Sequence, residues 1–198
     1  METFKGKVVL ITGAGKGTGR GVAEAFAELG ASVAVNDVSP VNLDGTVAHI
    51  LAFGGQVKAY VEDIAKKMPI QTLLNSVLDD FGRIDILVNC AEVEPQKTVL
   101  EMDDWDWQRT LDVNLSGPFF LTQSVGRIMK ENGGGVIVHV GERAKGPERR
   151  AAYFTSKAGL AALSALAAYE LSEFGIRVYY FQPGEPGETV KQILELCG

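Results

Sequence analysis

The chain has 198 residues, the size of one domain or a marginal two, and at 46% hydrophobic it can fill a core without a covalent staple. Nineteen Lys and Arg against 25 Asp and Glu leave a net charge of -6, which argues against nucleic acid or an anionic membrane surface as the partner and for a small ligand. Two cysteines, Cys90 and Cys197, are too few for a disulfide framework or a zinc site; no segment reaches the ~18 uninterrupted apolar residues of a membrane span, and the opening Met-Glu-Thr-Phe-Lys has no apolar run for export, so the expected compartment is the cytoplasm.

Apolar runs alternate with longer amphipathic stretches along the chain, the pattern of a parallel sheet covered on both faces. The first strand, 7–11, runs into Thr12-Gly13-Ala14-Gly15-Lys16-Gly17-Thr18-Gly19 and a helix over 19–29. Backbone N–H groups at a helix N-terminus favour phosphate, and glycines let it approach closely. The G-x-G-x-x-G and G-x-x-x-x-G-K-[ST] spacings both fail here, leaving T-G-x-x-x-G-x-G, which taken alone is also compatible with an ordinary tight turn.

Strand 32–36 delivers Asp37, followed by a helix over 41–53; strand 56–61 delivers Asp63 and Ile64, followed by a helix over 69–81. Strand 84–89 ends in Asn89-Cys90-Ala91-Glu92, with Cys90 read as a small buried side chain. The helix over 102–113 opens with an acidic turn whose Trp105 and Trp107 are expected to pack. Asn114 precedes a helix over 117–132, and strand 136–140 carries His139, read as a satisfied buried residue. The charged stretch 142–150 reads as a solvated loop. A helix over 153–174 leads to strand 177–181, then Pro183-Gly184 and a short helix over 188–196.

The expected fold is therefore α/β: one doubly wound parallel sheet of six strands spanning 1–198, with 185–198 as a tail. Tyr153 and Lys157 stand four residues apart and share a helix face. An ammonium beside a phenol favours the phenolate, which would make Tyr153 a general acid or base for a carbonyl and carbinol pair. By spacing alone such a pair is more often merely solvated.

The glycine loop, Asp37, Asp63, Asn89-Cys90-Ala91, Asn114, Tyr153-x-x-x-Lys157 and Pro183-Gly184, in this order, resemble the short-chain dehydrogenase/reductase family, in particular members similar to 3-oxoacyl-acyl-carrier-protein reductase. The resemblance covers about residues 5–184. It implies a Rossmann-like sheet with the pyrophosphate of a nicotinamide dinucleotide on Gly13, Gly17 and Gly19, the adenine on Asp63, and the adenosine ribose on Asp37. Lys16, Thr18, Ile64, Asn89, Ala91, Lys157, Pro183 and Gly184 complete the expected cofactor set. A carboxylate at Asp37 repels a 2′-phosphate and favours NAD over NADP, whereas Lys16 pulls toward NADP. Lys157 would also hold the nicotinamide ribose, and Asn114 would support a proton-relay water. The substrate would be a small carbonyl or alcohol.

Three departures accompany the resemblance. The family's Ser at the end of the fifth strand is replaced by Glu142 or Gly141, and losing one donor to a developing oxyanion costs about 10²- to 10³-fold in rate. Its Asn-Asn-Ala-Gly reads Asn89-Cys90-Ala91-Glu92 here. A covering lid and a seventh strand are expected to be missing after Gly184. The alternative function is therefore a catalytically impaired nucleotide-binding or subunit relative. The small residues of 153–174, together with the family's mode of pairing, imply a homodimer through helices 117–132 and 153–174.

Overall fold

The computed structural model describes residues 3–142 and 148–198, apart from the side chain of Pro186. Strands β1 (Val8–Thr12), β2 (Ser32–Asp37), β3 (Gln56–Val61), β4 (Ile86–Asn89), β5 (Gly135–Val140) and β6 (Ile176–Phe181) form one parallel sheet ordered β3-β2-β1-β4-β5-β6. The order reverses between β1 and β4, the point at which an open α/β sheet leaves a crevice beyond its strand ends. β1 is fully buried as Val-Val-Leu-Ile-Thr, since both faces of a parallel sheet are covered. Val9 and Ile11 join the cluster holding Phe26, Leu43 and Ile50, and Val8 and Leu10 the opposite one with Ile70, Leu73 and Leu121.

Helices α1 (Gly17–Glu28) and α2 (Pro40–Ala52) cover the first face, and α3 (Lys67–Phe81), α5 (Gly117–Glu131) and α6 (Ala151–Leu171) the second. The tail is not a loose end. Its helix α7 (Pro186–Cys197) packs on α1 and buries Ile193 and Cys197 in the first cluster.

The helix expected over 102–113 is shorter and changes character. Asp103 caps α4 (Asp104–Leu111) by accepting from the Asp106 N–H at 2.8 Å, and the chain then winds as a π-helical turn, Asp112–Ser116, before α5. Such turns mark sites where a side chain is held off the regular helical track, and Asn114 sits on this one. The fourth strand begins at Ile86 rather than 84; just before it the Asp85 carboxylate accepts from the Val8 N–H and from Arg83, both at 2.9 Å. Trp105 is 71% exposed, so of the two tryptophans it does not pack as expected.

His139 is buried between Asn89 and Thr122, each 3.2 Å from a ring nitrogen. Burial, with the Lys157 charge adding to it, lowers its pKa to about 4. An unfolded His titrates near 6.5, so between these values the unfolded chain binds the extra proton. His139 thus supports the fold fully above about pH 6.5, and that support declines as pH falls toward 4, with a slope of at most about 1.4 kcal/mol per unit. His139→Gln should flatten that part of the thermal midpoint against pH, measured by calorimetry side by side with the parent protein.

Candidate active site

At the carboxyl ends of the central strands lies a cleft of about 580 Å³, where the glycine loop, the ends of β2 and β3, and the segment after β4 meet. Of the residues expected to hold a dinucleotide, Gly13, Lys16, Gly17, Thr18, Gly19, Asp37, Asp63, Ile64, Ala91 and Pro183 all line it. Gly184 follows directly. Asn89 lies beneath the floor, bonded to His139.

The glycines are dictated by contact. A Cβ on Gly19 would stand 2.3 Å from the Gly13 carbonyl oxygen, and one on Gly13, at φ +64, 2.6 Å from Ala91 Cα. The loop is therefore folded hard against both the start of α1 and the β4 end. Lys16 stands at the N-cap of α1 in extended backbone, and Gly17, Thr18 and Gly19 of the first turn line the cleft.

Asp37 is set by two backbone donors: Gly15 N–H meets one oxygen at 3.1 Å and Ser39 N–H the other at 3.0 Å. The bonds that fix the carboxylate leave it on the cleft wall. Asn36 ties β2 to the third strand's end by donating to the carbonyls of Tyr60 and Glu62, both at 3.0 Å. Asp63 is clasped by Arg109 at 2.9 and 3.2 Å and accepts from the Ala65 N–H; against the desolvation of burial, these partners hold its carboxyl below the usual range. Arg109, on α4, also lines the cleft. It was not legible in the sequence, because no local spacing links it to Asp63.

Tyr153 and Lys157 project from the first turns of α6, both buried. Lys157 Nζ donates to the Val140 carbonyl at 2.9 Å and meets Glu92 Oε2 at 2.9 Å. The Tyr153 hydroxyl donates to the same Glu92 oxygen at 3.0 Å. The expected lowering of the phenol pKa is reversed. Burial raises it, and the charge and hydrogen bond of Glu92 raise it further, with Arg150 opposing. Lys157 lies 5.4 Å over the ring centroid, and its ammonium is turned to Glu92 and Val140.

Asn114 is buried and clamps Val93 from both sides, accepting from its N–H and donating to its carbonyl at 2.9 Å each, while also donating to Ser156 Oγ at 3.1 Å. Its amide thus holds the segment next to Glu92. Arg150 departs from the solvated loop expected over 142–150: it is 4% exposed, pairs with Glu94 at 2.5 Å and lies 4.6 Å over the Tyr153 ring. Residues 143–147 of that loop lie outside the described residues. Cys90 lines the cleft, and burial pushes its thiol up to about 12. Glu142 lies at the end of β5, where its backbone N–H bonds the Tyr180 hydroxyl.

Residues 7–191 match the family model for short chain dehydrogenase. An uncharacterized oxidoreductase of Thermotoga maritima is 42% identical over 183 residues, 91% of this chain and 72% of that protein. The 3-oxoacyl-[acyl-carrier-protein] reductase of Synechocystis is 35% identical over 93% of this chain and 76% of its own length. Among solved structures, a metagenomic short-chain oxidoreductase in complex with NADP superposes with a TM-score of 0.92 at 30% identity, covering 97% of this chain and 90% of that one. An NAD+-bound xylitol dehydrogenase does so with a TM-score of 0.88 at 34% identity, over 98% and 77%. The chain belongs to the short-chain dehydrogenase/reductase family, oxidoreductases that act on CH–OH groups with a nicotinamide cofactor.

Proposed function

We propose that the protein interconverts a ketone and a secondary alcohol, as a 3-oxoacyl reductase does, and that it prefers NAD to NADP. The observation that carries the cofactor reading is the Asp37 carboxylate, fixed at both oxygens on the wall of the cleft beside the glycine loop. A fixed carboxylate accepts from ribose hydroxyls and repels a 2′-phosphate. Lys16 at the mouth of α1 is the opposing charge. The cleft fits such a dinucleotide: its glycines let a pyrophosphate approach the backbone at the start of α1, with Asp63 and Ile64 on the adenine side. When bound, the nicotinamide supplies the hydride donor or acceptor.

The rest falls to the chain's own residues. Tyr153 presents a neutral phenol, whose hydroxyl can donate to a substrate carbonyl and pass it the proton. Lys157 and Asn114 position it, the first by holding Glu92, the second by fixing the backbone at Val93. The similarity to 3-oxoacyl-[acyl-carrier-protein] reductases supports the substrate class. Assaying nicotinamide absorbance with short 3-oxoacyl thioesters and with secondary alcohols tests the reading; turnover is expected, and nucleotide binding without turnover on any of them would favour the second reading. That second reading, an impaired relative, is favoured by the engagement of the Tyr153 hydroxyl with Glu92.

We also propose that two copies pair through α5 and α6. Phe119 and Leu166 stand exposed on these helices around an apolar groove that also holds Gly126 and Ala167, small enough for close helix contact, and Tyr169 stands exposed on α6. Light scattering at tens of micromolar should give the mass of a dimer; the mass of one chain removes the proposal.

A further inference from the structure

We infer that Glu92 is the proton-exchange partner of Tyr153, a positioning residue that carries the reaction's proton between the buried phenol and solvent. The inference rests on the acid–base role proposed above for Tyr153.

A proton given up or gained by Tyr153 needs a route, because the residue is 1% exposed. Lys157, with a side chain 3% exposed, offers no exit. Glu92 does: one of its oxygens receives the Tyr153 hydroxyl at 3.0 Å and the Lys157 ammonium at 2.9 Å, while its side chain is 38% exposed on the cleft wall. Its place is built. The Ala91 N–H donates to Thr12 Oγ1 at 3.3 Å on one side of Glu92, and Asn114 holds both backbone groups of Val93 on the other.

The proton balance closes without a phenolate. In alcohol oxidation the substrate O–H bond breaks and its proton forms a new bond to Tyr153 Oη, while the original Tyr153 O–H bond breaks and its proton bonds to Glu92 Oε2. The carbinol hydrogen leaves carbon with its electron pair for the oxidised nicotinamide, and the carbonyl forms. Ketone reduction runs the same bonds backward from protonated Glu92. Oxidation therefore needs the carboxylate and reduction the acid, so the two directions should show opposite limbs in their pH profiles. Around Glu92 the Cys90 thiol is held up near 12 and Arg150 is paired with Glu94; His139, held down near 4, titrates within the ordinary carboxylate range, and Glu92→Gln separates its part from that of Glu92. Lys157 faces Glu92 directly, and Glu142 stands two residues beyond β5.

The test compares Glu92→Gln, which keeps the shape and cannot carry the proton, with Glu92→Asp, which keeps the carboxylate, and Glu92→Gly. For Glu92→Gln, kcat is expected to fall by about 10²-fold, at the lower end of general acid–base effects, with the KM for the nicotinamide unchanged and the pH limb lost. Glu92→Asp should restore the limb. A second readout needs no turnover: in the nucleotide-free protein, phenolate absorbance against pH, taken as wild type minus Tyr153→Phe, isolates one of the five tyrosines. With the negative charge removed in Glu92→Gln, that titration should move to lower pH. Glu92→Gln or Glu92→Gly turning over as fast as the parent or faster, or a phenol titration that does not move, overturns the relay. If Tyr153→Phe silences turnover while Glu92→Gln does not, the relay alone fails; if Tyr153→Phe is as active as the parent, the role of Tyr153 fails and the relay with it.

Discussion

Tyr153→Phe is expected to lower turnover by about 10²- to 10⁴-fold, the range that a positioned general acid or base contributes, with nucleotide affinity and thermal midpoint nearly unchanged. The substitution deletes one oxygen and no packing. The ring stays sealed at 1% exposure under the Arg150 guanidinium, which lies 4.6 Å from its centroid. What disappears is the hydroxyl that points at Glu92 and, in the proposed reaction, at the substrate oxygen. Glu92 is not stranded, since Lys157 still meets it at 2.9 Å. Parallel measurements of kcat, NADH affinity and melting separate the chemical effect from a structural one; a loss of affinity equal to the loss of rate would point to a binding role instead.

Gly19→Ala is expected to weaken nucleotide binding by about tenfold or more, a loss of at least ~1.4 kcal/mol. The new Cβ would stand 2.3 Å from the Gly13 carbonyl oxygen and 2.8 Å from its carbon. These are backbone atoms, so no side chain can swing clear and the loop itself must move. Gly13 cannot yield toward the sheet, because it already lies against Ala91 and Cys90. Overpacking of this kind typically costs about 1–3 kcal/mol of stability, so the melting point should fall as well. Gly17→Ala is the control: nothing stands within 4 Å of a Cβ there, and only its φ of +57 is strained. A titration with NADH should therefore rank the parent first, Gly17→Ala second and Gly19→Ala last.

The parts of this site that could be read from the sequence are those whose logic is local. Strands β1, β2, β4 and β5 were legible because each is an apolar run buried over most of its length, and Tyr153 and Lys157 because one helical turn separates them. The glycine loop was legible for the same reason. The groups that tune the site were not, because the sheet brings them together across long stretches of chain: Glu92 meets Tyr153 across 61 residues, Arg109 reaches Asp63 across 46, and Arg150 reaches Glu94 across 56. The sequence marks Glu92 as a departure near the nicotinamide site but does not show which side chains it engages. Hence the difference at Tyr153, where a neighbouring lysine argues for an acidic phenol and burial, together with the Glu92 carboxylate, makes it a weak acid. The π-helical turn at Asn114 belongs to the same class, since Asn114 is held by its bonds to Val93 rather than by its neighbours in sequence.

The central claim is that the cleft beyond β1, β2 and β4 takes an adenine dinucleotide and that Asp37 selects the form without a 2′-phosphate. Calorimetric titration of the protein with NADH and with NADPH tests it most directly. Saturable heat is expected from both, with NADH binding more tightly; no heat from either at millimolar concentration, or tighter binding of NADPH, would contradict it.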